Sequence, residues 1–194
     1  MENIWSTIND FIGFIVKLVP LFGVLIAYLG LNTWRRQIKG TDKYKVASEL
    51  LLEVYRVREA IKMVRSPFVE FAPAQDETAS EEMNAFLGYA KTMDERWKQL
   101  TEPVVQLSLV SLRAEVHLGR DIKHEVDELM KLVRHLQIIY ESYLDYKRPG
   151  SGFGPEDFTP DDRKILWAKP SGDTFDESVQ TSVAKIEGLV RSYL

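Results

Sequence analysis

The run Phe11 to Leu31, FIGFIVKLVPLFGVLIAYLGL, constrains this chain more than any other stretch, because its 21 consecutive positions carry one formal charge, Lys17. About 20 apolar residues are enough to cross a hydrocarbon core roughly 30 Å thick. The flanks, MENIWSTIND before and NTWRRQ after, lack the basic leader and small-residue cleavage site of a secretory signal. The run therefore predicts an uncleaved transmembrane signal anchor over 11–31. Ahead of it, Ile4, Trp5, Ile8, Phe11 and Ile12 sit at helical spacing, which makes residues 1–10 an amphipathic lead-in on the outer surface.

Orientation follows from the flanks. Glu2 and Asp10 precede the run, while Arg35, Arg36, Lys39, Lys43 and Lys45 follow it, and basic residues stay on the cytoplasmic side. The expected product is a single-pass inner (plasma) membrane protein with its N-terminus outside and residues 41–194 in the cytoplasm. Arg35, Arg36 and Lys39 then set topology and meet lipid headgroups in a basic juxtamembrane segment, 32–40. Residues 32–65 hold nine basic and four acidic residues, net +5, and residues 66–194 fifteen and twenty-three, net −8, within an overall charge of −4. Inside the run, Gly23, Ala27 and Gly30 present small residues that let helices approach closely. Lys17 is a cation that either snorkels or faces a protein-lined path. These four residues are the expected membrane-helix association and pore residues, and a homo-oligomer is the expected state.

Beyond residue 40 no long period-2 alternation appears, and the 3–4 spacing of amphipathic helices recurs. The class is all-α: a membrane helix followed by a bundle of four to five helices. Gly40-Thr41-Asp42 breaks the stem and offers a cap, after which Ala47, Leu50, Val54, Val57, Ile61 and Val64 form a stripe ended by Ser66-Pro67. A second helix opens near Ser80 with the stripe Met83, Phe86, Ala90, Met93, Trp97 and Leu100; at Pro103 it either kinks or restarts as 104–118. After Gly119 comes the clearest pattern, Ile122, Val126, Leu129, Val133, Leu136, Tyr140 and Tyr143. A Gly- and Pro-rich connector with one short helix capped by Thr159 leads to a last helix over about 173–193 bearing Phe175, Val179, Val183, Ile186, Val190 and Tyr193. Seams this regular suit shallow helix crossings.

Chemistry is sparse. The absence of Cys excludes disulfides, thiolate metal sites and a cysteine nucleophile. His117, Asp121, His124 and Glu128 fall at i, i+4, i+7 and i+11, but Gly119 interrupts the helix face they would share. No metal and no cofactor is implied. The glycines of 150–154 follow a helix and precede no strand, so they lack the setting of a phosphate-cradling turn. One non-core stripe remains, in which Tyr55, Arg58, Lys62 and Arg65 extend Tyr44 and Leu51. Its expected partner is acidic: the acidic remainder of a neighbouring copy, a lipid headgroup or RNA phosphate. The competing reading is a solvated basic face.

The membrane helix, the WRRQIKG segment that follows it, and the pairs Arg113/His117 and Arg120/His124 on a helical bundle together resemble small bacterial membrane effectors of antiphage defence. The nearest are the membrane-bound HEPN-like accessory proteins of type VI CRISPR systems. The resemblance implies one N-terminal membrane helix, a divergent HEPN-like bundle, and assembly into a ring-shaped pore with a protein partner of the defence system. In HEPN ribonucleases four to six residues separate the arginine from the histidine, whereas both gaps here are three. The expected function is accordingly non-enzymatic: self-assembly through the bundle and membrane helix to alter permeability. The alternatives are a membrane-tethered adaptor without a pore and a HEPN-like ribonuclease.

Overall fold

The computed structural model describes the backbone of residues 2–194 apart from Val69 and Pro155, and the side chains apart from those of residues 2–25, Arg36 and Lys39. All regular structure among the described residues is helical. The elements are α1 (Glu2–Val64), α2 (Glu81–Leu118), α3 (Arg120–Lys147), α4 (Pro160–Leu166) and α5 (Thr174–Val190), followed by a 3-10 turn, Arg191–Tyr193. The chain divides into two compact units, residues 1–43 and 44–194.

The first unit belongs wholly to α1 and overturns the membrane architecture. Among the described residues no helix is long and apolar enough to cross a membrane. The transmembrane helix over 11–31, the single-pass inner-membrane localisation and the pore are therefore not supported. The apolar run does not form a helix of its own. It belongs to a 63-residue helix that continues through Arg35 and Lys43, and the described part offers only Ile26 to Leu31 before polar Asn32 and Thr33. The side chains of Lys17 and Gly23 lie outside the described residues, as do those of Arg36 and Lys39. Ala27, Gly30 and Arg35 are exposed, and a side chain at Gly30 would meet nothing within 4 Å.

The expected break at Gly40-Thr41-Asp42 is also absent. A glycine inside a helix costs only about 1 kcal/mol relative to alanine. Thr41 does not act as a cap; its hydroxyl donates back to the Gln37 carbonyl at 2.9 Å, which leaves the helix intact.

In the second unit the end of α1 joins α2, α3 and α5 around one core. Ala47, Leu50, Val54, Val57 and Ile61 of α1 are fully buried, with Leu107 and Ala114 of α2, Val126, Leu129 and Leu136 of α3, and Val179, Ile186 and Val190 of α5. Each set repeats at the 3–4 spacing that aligns one helix face. Local chemistry starts the helices. The Ser80 side chain accepts from the Met83 N–H, Thr159 and Asp162 form a reciprocal capping box, and Asp173 accepts from the Asp176 N–H. Pro103 sits within α2, which continues through it. Gly119, at φ +118°, is the single residue between α2 and α3, a backbone region that side chains disfavour. Stacked Trp97 and Tyr140 rings, 4.8 Å apart, join α2 to α3.

Candidate functional site

Two ties fix how the end of α1 lies beside α2. Arg96 Nη2 donates to the carbonyls of Met63 at 2.8 Å and Ser66 at 2.9 Å, and Arg113 pairs with Glu49 at 2.9 Å. As the α1 number falls the α2 number rises, so these segments run antiparallel. Leu52, one turn on from Glu49, therefore stands at the height of Leu109, one turn before Arg113.

On the second half of α2, Leu107, Val110, Ser111, Ala114 and Leu118 enter the core. At about 100° per residue, Val105, Leu109, Leu112 and Val116 fall on the opposite side within an arc of about 60°. They are 50%, 53%, 56% and 81% exposed, and Leu52 of α1, at the height of Leu109, is 57% exposed. The bundle thus carries a continuous aliphatic ridge facing away from its own core. Contiguous exposed apolar surface marks interaction sites far more often than scattered single residues do.

The expected basic stripe does not form as a unit. Arg58 and Lys62 both reach Glu59, at 2.9 Å and 3.2 Å, and the hydrogen bond from Lys62 helps hold the Glu59 carboxyl below its ordinary range. Tyr55 is half-buried. A hydrogen bond with Glu187, and then burial, push its phenol above the usual value. Arg65 leaves the stripe altogether. It is buried, with Nε donating to the Ile165 carbonyl at 2.6 Å, and Nη2 to the Lys164 carbonyl at 3.0 Å and to Asp173 Oδ1 at 2.9 Å. Its guanidinium lies 4.7 Å from the Phe175 ring centre. Burial opposes ionisation of Asp173, but the bonds from Arg65 and from the Asp176 and Lys169 N–H groups outweigh it and hold the carboxyl below its usual range. A cation placed by spacing on an outer stripe is instead the pin that fixes the 164–173 connector to the end of α1.

The arginine–histidine pairs are not gathered into a recess. Arg113 is engaged by Glu49, Arg120 is almost fully exposed at 3.8 Å from Glu115, and His117 and His124 face solvent. Among the described residues no group of three His, Asp or Glu could hold a metal ion.

A recess of about 480 Å³ is walled by Phe71, Phe86, Tyr89, Tyr143, Lys147 and Pro149. The Phe71 ring meets Tyr89 edge-on at 5.3 Å. This loop lies so close to α2 that a side chain at Gly88 would sit 2.0 Å from the Ala72 carbonyl oxygen. The Tyr89 hydroxyl is buried without a hydrogen-bond partner among the described residues; burial, then the neighbouring Tyr143, raise its pKa far above normal.

No family model, no curated protein and no solved structure matches the chain. The arrangement is interpreted from its own surfaces, and the α2 ridge aligns four exposed aliphatic side chains on one helix face. A sequence signal for it exists. Between Val104 and Leu118 apolar residues occupy 104, 105, 107, 109, 110, 112, 114, 116 and 118, more than one helix face holds. A helix apolar on both sides has two surfaces to cover.

Proposed function

We propose that this chain is a non-catalytic adaptor whose helical bundle works by self-association. The observation that carries this reading is the aliphatic ridge of α2, widened by Leu52, on the side of the helix turned away from the core. Burying such side chains contributes roughly 25 cal/mol per Å² of apolar surface removed from water. A stable interface needs about 800 Å² per partner, so the ridge is its dry centre and the charged residues of α1 and α2 around it form the rim. A ribonuclease reading has less support, because neither histidine shares a recess with an arginine. Sedimentation equilibrium of the full chain across the micromolar range tests the proposal. A mass of two or more protomers that falls on dilution is expected; a strict monomer throughout overturns it.

A further inference from the structure

We infer that two copies pair antiparallel through α2, about a two-fold axis passing level with Val110 and Ser111; this rests on the self-association proposed above and specifies its surface and register. A two-fold interface requires a patch that maps onto itself under a half-turn. The ridge meets that condition. Its residues read Val, Leu, Leu, Val at spacings of four, three and four, the same in either direction. A half-turn about the midpoint sets Val105 against Val116 of the second copy, and Leu109 against its Leu112, so that all four positions find aliphatic partners twice over.

The charges beside the ridge select the antiparallel arrangement over the parallel one. In the antiparallel register exposed Glu102 comes level with the end of α2 on the second copy, where Arg120 opens α3, and Arg113 comes level with Ser108. Arg120 is 92% exposed and only loosely paired, at 3.8 Å, within its own protomer. A parallel pairing would set Glu102 and Arg113 of α2 each against its own duplicate, and like charges placed directly opposite disfavour association. Leu52, at the height of Leu109 on the neighbouring helix, comes level with Leu112 of the second copy and extends the apolar contact onto α1.

The chain contains no cysteine, so introduced thiols report this register without background. The experiment uses full-length V105C and V116C, each alone and mixed in equal amounts, oxidised and run without reductant. In the antiparallel register two copies of residue 116 are separated along the axis by eleven residues, about 16 Å at 1.5 Å per residue. A disulfide joins Cα atoms no more than about 7 Å apart. Each variant alone should stay uncrosslinked, whereas the mixture should yield a covalent dimer. Efficient crosslinking of V116C with itself would overturn the inference in favour of a parallel pair while leaving self-association standing. A mixture that stays uncrosslinked, though the unsubstituted chain sediments as a dimer, would place the interface elsewhere and also overturn it. A monomeric unsubstituted chain would remove the underlying proposal itself.

Discussion

Leu107, Val110, Ala114 and Leu118 are at most 8% exposed, whereas Val105, Leu109, Leu112 and Val116, interleaved with them on α2, are at least half exposed. The residue types hardly differ between the two faces. What differs is whether the same chain supplies a partner: α1, α3 and α5 fill the inner side, and none of the described residues of 44–194 covers the outer one. Hydrophobicity therefore marks where α2 needs neighbours, and the fold accounts for only half of them. The last turn of α1 shows the same division in charge. Arg65 is locked inside with Asp173, while Arg58 and Lys62, within two turns of it, share Glu59 at the surface.

The inner side should be the less forgiving. Arg65→Ala would strand the buried Asp173 carboxylate and the carbonyls of Lys164 and Ile165, and breaking a buried pair in this way costs about 3–5 kcal/mol. A fall of that size in unfolding free energy is expected in urea denaturation. The pair also carries a pH signature. Because the folded state depresses the Asp173 pKa, its contribution is complete above the ordinary carboxyl value of 3.8 and is lost as pH falls through the lower folded value. The stability gap between the natural chain and Asp173→Asn should accordingly narrow below about pH 4; a gap that widens on acidification would contradict the assignment.

Next in size, Leu107→Ala should cost about 2–5 kcal/mol through the cavity it leaves. Leu109→Ala, two residues away on the outer face, should change the unfolding free energy of dilute, dissociated protein by no more than about 0.5 kcal/mol. Equal losses at the two positions would erase the contrast between the faces. Smallest of all, Arg58→Ala and Lys62→Ala should each shift stability by less than about 1 kcal/mol, since exposed ion pairs contribute little. A thermal melt of each variant distinguishes these from the Arg65 effect.

Much of the bundle was legible in the sequence, since a 3–4 apolar stripe bounded by a capping residue is a local signal. The stripes of α3 and α5 and the caps at Ser80 and Thr159 needed no knowledge of neighbours. Three features depended on context that spacing does not carry. Gly40 and Thr41 look like a stop, yet the helix tolerates both because the threonine hydroxyl is satisfied by Gln37. Arg65 falls in register with Arg58 and Lys62, but its fate was set by Asp173, 108 residues away. The run at 11–31 reads as a membrane span on its apolar residues alone, whereas the described part of its helix passes from Ile26–Leu31 straight into polar and basic residues. The outer stripe of α2 was hidden for a related reason: an apolar-rich helix reveals that two faces need cover without stating which one the fold uses.

If copies pair as proposed, the outer face of α2 holds them together without holding the bundle itself together. The most direct measurement compares the full chain with Leu109→Glu/Leu112→Glu by sedimentation equilibrium and by far-ultraviolet circular dichroism on the same samples. The expected result is an unchanged helical spectrum with a dimerisation constant weakened at least tenfold. A variant that keeps the oligomeric mass of the natural chain, with its helices intact, would contradict the account.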